Sequence, residues 1–322
     1  MAVYTHIDEM ALKPLIVRYD IGELVSFKGI PQGVDNTNYF VETSKGKYIL
    51  TIFEKRILID ELPFYIGFMQ HLQKKGIPCP TVIETRDGKS ITTIADKAAI
   101  VATFLDGDWP RSVSEHHCLT LGTTLGHMHK AVKDFPMKRR NSMSLPAWRA
   151  LVSACRGEAD TVEAGLSDFL DKEIDFLEKA WPKYLPRGAV HADLFTDNVF
   201  FNGERLSGII DVYFACTEYF SYDVMLTLNS WCFDAQGKLD RVKSAALLAQ
   251  YQKGRAFTKA EARALPIFGR GAAMRIIATR LYDWLNPAPG AVIKAKDPME
   301  HIRILRFHQQ AKGPEDYGLD VI

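Results

Sequence analysis

Apolar and polar positions change rhythm along the chain, and each change marks an element. Residues 6–20 repeat apolar positions loosely at helical spacing. After Gly22 short β-type runs take over. Val25-Ser26-Phe27 leads to Asn38-Tyr39-Phe40-Val41-Glu42-Thr43, which alternates, and Tyr48-Ile49-Leu50-Thr51-Ile52-Phe53 follows a Lys45-Gly46 turn. These runs predict a hairpin meander. Leu62, Tyr65, Phe68, Met69 and Leu72 then share a helical face over 61–75, with Pro63 in the first turn and Gly76 as the stop. Thr81 to Ile83 and Ser90 to Ile94, on either side of Asp87-Gly88, read as strands, and so does Ala98 to Phe104.

Beyond Leu105 helical spacing dominates, over 115–132, 148–155, 165–181, 224–231, 240–251, 259–265 and 268–285. β-type segments at 189–191, 198–202 and 206–212 interrupt it. The pattern predicts an α+β chain in two lobes. A small antiparallel sheet with one main helix fills residues 1–105, and a larger, mostly helical part fills 106–322. Ligands are expected in the cleft that two such lobes enclose.

Composition narrows the class. With 322 residues the chain can bury a large core, and 47% hydrophobic with 25% charged residues is the balance of a soluble globular protein. A net charge of +1 gives no basic stripe, so nucleic acid is not an expected partner. No apolar run approaches the ~20 residues needed to span a bilayer, so no membrane segment is expected. Asp8 and Glu9 precede any apolar segment, unlike a signal peptide. Cys79, Cys118, Cys155, Cys216 and Cys232 are odd in number, scattered and without a C-x-x-C pair, which suits buried thiols in a reducing cytoplasm.

The chemistry concentrates in His191-Ala192-Asp193-Leu194-Phe195-Thr196-Asp197-Asn198, set between apolar runs. Asp193 precedes Asn198 by five residues, the spacing of the H-x-D-x-x-x-x-N kinase catalytic loop. Asp211 ends a second β-type run thirteen residues after Asn198. Each residue alone could simply cap a turn or end a strand. The ordered set of loop Asp, Asn, hairpin and strand-end Asp favours ATP-dependent phosphoryl transfer. In that chemistry one carboxylate meets the acceptor hydroxyl, and an amide and a second carboxylate hold the Mg²⁺ on the phosphates. Gly29 and Gly33 can form a phosphate-covering loop between two strands, with Asn36, Thr37 and Asn38 as neutral donors. A plain turn is the alternative there. No G-x-x-x-x-G-K-S/T is present, which excludes a Walker-type site.

Several stretches carry a family resemblance. The catalytic run, the Asp211 strand and the Tyr222-Asp223 pair resemble the aminoglycoside phosphotransferase and choline kinase-like superfamily, which is kinase-like in fold. Asn36 to Val41, Tyr48 to Glu54, Glu61 to Phe64, Asp211 to Cys216, Asn229 to Asp234 and Lys296 to Pro298 match as well, and among them Tyr213-Phe214-Ala215-Cys216 and Trp231-Cys232-Phe233-Asp234 are more particular. Within the superfamily they look most like the type II homoserine kinases. The resemblance implies ATP and Mg²⁺ as cofactors and the side-chain hydroxyl of homoserine as the acceptor. It makes Asp193 the catalytic carboxylate, with His191 orienting the loop and Asn198 and Asp211 as Mg²⁺ ligands. The candidates on the nucleotide side are Gly29, Gly33, Asn36, Asn38, Thr51, Glu61, Phe104 and Leu105.

One departure stands out. The kinase fold carries a lysine on its third strand, paired with a glutamate on the next helix. Here Thr51 holds that position, and Lys47 and Lys55 each lie four residues away, or ~13 Å along a strand. Another cation or backbone donor has to serve the phosphates, and Glu61 would be the helix glutamate. Asp223 could brace the loop or cap its own helix. His127 and His129 do not face one another on a helix, so they read as ordinary helix histidines rather than metal ligands. Arg139 and Arg140 read as a solvated loop, and the aromatic residues from Tyr213 to Tyr222 as core with part of an acceptor pocket. Homoserine is a zwitterion, and Arg280 with Asp283 or Asp234 is the candidate set for it, against a structural Arg280–Asp283 pair. The rival functions are a kinase for choline, an aminoglycoside or a sugar, and a nucleotide-binding pseudokinase, which Thr51 favours and intact Asp193, Asn198 and Asp211 oppose.

Overall fold

The computed structural model describes residues 3–31, 36–54, 57–287 and 295–320. The chain divides into two compact units. One comprises Met1–Asp108 with Phe200–Asn202 and Ser207–Tyr213, and the other Trp109–Val199, Gly203–Leu206 and Phe214–Ile322.

In the first unit α1 (Glu9–Val17) begins at Asp8, whose carboxylate accepts the Ala11 backbone N–H at 2.8 Å. That bond satisfies one of the free donors of the first turn. Strands β1 (Leu24–Ile30), β2 (Thr37–Thr43) and β3 (Gly46–Ile52) precede α2 (Leu62–Lys74), and β4 (Val82–Ile83), β5 (Thr92–Ile94) and β6 (Lys97–Thr103) follow it. They form an antiparallel sheet of order β1-β2-β3-β6-β4, with β5 also paired to β6. Alternation in β2 is complete: Thr37, Tyr39, Val41 and Thr43 are buried and their neighbours less so. Tyr39 and Val41 meet Leu50, Ile52, Ala99 and Val101 in one core, to which α1 adds Leu12, Leu15 and Ile16. α2 buries the face read from its spacing.

The second unit contains α3 (Glu115–Ala131), α4 (Leu145–Cys155), α5 (Leu166–Ala180) and β7 (Arg187–Val190). After the hairpin strands β8 (Val199–Asn202) and β9 (Arg205–Ile209), most of whose residues belong to the first unit, the second unit resumes. β10 (Cys216–Tyr219), α6 (Phe220–Trp231), α7 (Arg241–Gly254), α8 (Lys259–Leu285) and α9 (Met299–Gln310) complete it. β10 pairs with β7, Cys216 opposite Val190. Gly122 and Gly126 let α3 press against the backbone of α7. A Cβ at Gly122 would sit 2.3 Å from the Leu247 carbonyl oxygen, and one at Gly126 2.6 Å from that of Tyr251.

Three elements differ from the sequence reading. The two helices expected over 259–265 and 268–285 are one helix of 27 residues that runs through Pro266. Proline forfeits one backbone hydrogen bond there. Leu265 and Phe268, on either side of it, are fully buried, so packing outweighs the local propensity to break. α9 was not foreseen, because its buried face mixes His301 and His308 with Ile302, Ile304 and Leu305 and so blurs the apolar period. β10 was hidden in the aromatic cluster. Among the described residues no helix is long and apolar enough to cross a membrane.

Candidate active site

The loop between β7 and β8 carries Asp193, and buried side chains of the second unit shape it. Asp223, in the first turn of α6, is fully buried. Its Oδ1 accepts the backbone N–H of Ala192 at 2.7 Å, and its Oδ2 accepts that of His191 at 3.3 Å. Asp223 therefore braces the loop, the first of the two roles open to it. Ala192 has φ +62°, a left-handed conformation that side-chain-bearing residues rarely adopt. The Trp231 indole N–H donates to the Leu194 carbonyl at 2.8 Å. The His191 ring is fully buried.

Both carboxylate oxygens of Asp193 have donors. The Asn198 amide nitrogen donates to Oδ2 at 3.1 Å and to the Asp193 carbonyl at 2.8 Å. Arg275 of α8 donates through Nη2 to Oδ1 at 3.2 Å and through Nη1 to the Ala192 carbonyl. Its guanidinium also lies 5.1 Å from the centre of the Phe214 ring. The Arg275 side chain is 4% exposed and that of Asp193 14%, so the carboxylate keeps a window to solvent.

Behind the loop runs a buried polar chain. His129 Nε2 lies 3.0 Å from Asp223 Oδ2, and its Nδ1 lies 3.0 Å from the Tyr251 hydroxyl. Arg255 donates to that hydroxyl at 2.9 Å and to Glu261 at 2.7 Å. Burial pulls the His129 pKa below the usual histidine value, although Asp223 opposes the shift. His127, two residues away, is exposed, as separate helix faces require. Among the described residues no group of three or more His, Cys, Asp or Glu is placed to hold a metal.

In the first unit Asp211 also has a left-handed backbone, φ +61°. Tyr213 follows it and packs edge-on to Phe53 at 5.3 Å and Tyr65 at 5.7 Å. Burial pushes the Tyr213 hydroxyl pKa up and the Asp211 charge adds to the rise, against a hydrogen bond to Thr51. Thr51 lies opposite Asn38 and Ile100 in the sheet and donates to the Asn38 side-chain oxygen at 2.8 Å. The Asn36 side-chain oxygen accepts the Glu54 N–H at 3.4 Å. Glu54 in turn takes hydrogen bonds from Thr5, Thr37 and Lys97. Burial would raise its pKa, but those donors outweigh it and hold the carboxyl below its usual range.

The remaining candidates are scattered. Gly29 lies within β1 opposite Tyr39, not in a loop, and a Cβ there would meet Val3 at 2.9 Å. Gly33 and Lys55 lie outside the described residues. Glu61 accepts the Tyr65 hydroxyl at 3.1 Å as α2 begins. Phe104 donates its N–H to the Lys47 carbonyl at 3.1 Å and sets its ring edge-on to Phe40, and Leu105 packs over Gly208. Arg280 donates to Glu300 of α9 at 2.6 Å. Asp283 is exposed, and Asp234 closes a turn by accepting the N–H groups of Gln236 and Lys238 at 2.9 Å each. Arg139, read as solvated, is half-buried and donates to the Ala215 carbonyl at 3.2 Å. Arg275 is the contact that sequence reasoning missed. Its signal is a lone charge inside the apolar run from Gly271 to Ala278, which must find a partner when buried.

The profile of the Phosphotransferase enzyme family matches residues 26–263. The homoserine kinase of Brucella canis is 50% identical over 321 residues, covering 100% of this chain and 98% of its own. That of Brucella anthropi is 50% identical over 320 residues, covering 99% and 98%. Among solved structures, an amicoumacin kinase in complex with AMP-PNP, Ca²⁺ and Ami aligns with a TM-score of 0.72 at 16% identity, over 94% of this chain and 93% of its own. A microcompartment-associated aminopropanol kinase aligns at 0.64 and 17% identity, over 98% and 100%. Likeness at that identity shows the shared fold, and it bears out the α+β, kinase-like architecture expected from the sequence. The chain belongs to the phosphotransferase enzyme family, in the group that contains the Brucella homoserine kinases.

Proposed function

We propose that the protein transfers the γ-phosphoryl group of ATP to the side-chain hydroxyl of L-homoserine, giving O-phospho-L-homoserine and ADP in the cytoplasm. The observation that carries the acceptor is the 50% identity to homoserine kinases over the whole chain. Asp193 faces the acceptor hydroxyl and takes its proton as the oxygen attacks phosphorus and the bond to the leaving ADP oxygen breaks. A carboxylate held on both oxygens is already oriented for that task.

Asn198 and Asp211 fit Mg²⁺ by chemistry, as one amide and one carboxylate oxygen, the hard donors this ion takes beside phosphate oxygens and water. The Asn198 nitrogen is committed to Asp193, so its Oδ1 is the atom left for a cation. When bound, Mg²⁺ supplies charge neutralisation on the phosphates. On the nucleotide side we assign Asn36, Asn38, Thr51, Glu61 and the Phe104-Leu105 segment of the first unit. The acceptor would draw on the second unit. Arg280, Asp283 and Asp234 meet its needs by type, and Arg280 would have to exchange Glu300 for the substrate carboxylate.

A coupled ADP-release assay over homoserine, choline, an aminoglycoside, a sugar and the amino alcohol lacking the carboxylate tests the reading. Homoserine should exceed each of the others in kcat/KM by at least ~100-fold, since a site built for a polar group rejects analogues without it. Asp193→Asn should lower kcat by about 100-fold or more while the Kd for ATP stays within about threefold. Equal turnover of several alcohols, or a mutant that keeps its rate, would defeat the proposal.

A further inference from the structure

We infer that Arg275 is a positioning residue that sets the Asp193 carboxylate for transfer, and this rests on the function proposed above. Its guanidinium spans two adjacent residues of the loop. Nη1 bonds the Ala192 carbonyl and Nη2 bonds Asp193 Oδ1, so one rigid plane fixes both the peptide before Asp193 and the carboxylate itself. Asn198 holds only the other oxygen, and from within the same loop. The arginine is itself fixed, since the Phe214 ring lies 5.1 Å from the guanidinium and the flanking α8 residues are buried.

Stability alone gives little reason to keep this charge. Replacing a buried ion pair by apolar side chains is often neutral or stabilising. The guanidinium stands among buried apolar residues of α8 and turns to the Ala192 carbonyl and the Asp193 carboxylate. Its contact with Asp193 supplies the reason. Lysine would not substitute, because a single ammonium cannot meet a carbonyl and a carboxylate in one fixed plane.

The test compares Arg275→Lys, Arg275→Met and Arg275→Ala with the wild type on whichever alcohol of the panel turns over fastest. That choice separates a failure here from a failure of the homoserine assignment, which the wild type alone reports. Arg275→Met and Arg275→Lys should lower kcat by about 100-fold, with KM for ATP and for the acceptor each within about threefold, the signature of a misaligned group. Added guanidinium should restore part of the Arg275→Ala rate and methylammonium should not. A kcat within about threefold of wild type overturns the inference. So does a selective rise in acceptor KM, which would make Arg275 a substrate ligand. A rate loss that tracks the folded fraction in thermal melts, without guanidinium rescue, overturns it as well.

Discussion

A carboxamide with its nitrogen engaged presents its oxygen elsewhere, and Asn198 is in that state beside Asp193. Asp211 offers a carboxylate on a strained left-handed residue, the kind of backbone that persists where surrounding structure enforces it. If both hold Mg²⁺, Asn198→Ala and Asp211→Ala should each raise the free Mg²⁺ needed for half-maximal kcat/KM, by at least the ~10-fold typical of losing an outer-shell partner. Rate measurements across a Mg²⁺ titration check this, and an unshifted midpoint in both variants removes them from the metal. The contact between Asp193 and Asn198 was legible in the sequence because it is set by local spacing, five residues within one loop. Arg275 was not. It reaches Asp193 from 82 positions away, and its identity speaks only once the helix around it is known to be buried.

At the level of elements, α3 and α7 approach as closely as their backbones allow. Gly122 meets the Leu247 carbonyl and Gly126 that of Tyr251, and one turn further on His129 faces the Tyr251 ring. Because the obstructing atoms are main chain, Gly122→Ala has no flexible neighbour to displace. Overpacking of this kind costs about 1–3 kcal/mol. At roughly 2 °C per kcal/mol for a chain of this size, Tm should fall by about 2–6 °C in calorimetry. An unchanged Tm would show that the helices separate without penalty. The sheet, α2 and most helices were readable from periodicity alone, since each buries one face. Periodicity failed at Pro266, where two buried flanks override a breaker, and in α9, whose buried face includes polar rings.

For the whole molecule, three of the buried histidines contribute to the response to acid. Burial depresses the pKa of His129 and of His301, and pushes that of His308 down to about 3. Burial favours the neutral form of all three in the fold, whereas in the unfolded chain they gain protons below about 6.5. Their contribution is present above that value and fades as pH falls below it, for His308 down to about 3, because the unfolded state then binds more protons. Tm should be lower at pH 5 than at pH 7.5, with net proton uptake on unfolding at pH 5, which calorimetry in buffers of different ionisation heat can count. A Tm independent of pH over that interval would falsify the assignment. The Asp223 contacts carry a consequence in time. The amide hydrogens of His191 and Ala192 belong to a loop, yet they point at a carboxylate that has no exposed surface and is also held by α3. They cannot reach water by fraying and must wait until α3 and α6 come apart. In deuterium exchange these two loop amides should therefore keep pace with the slowest core helices and report the global opening of the second unit.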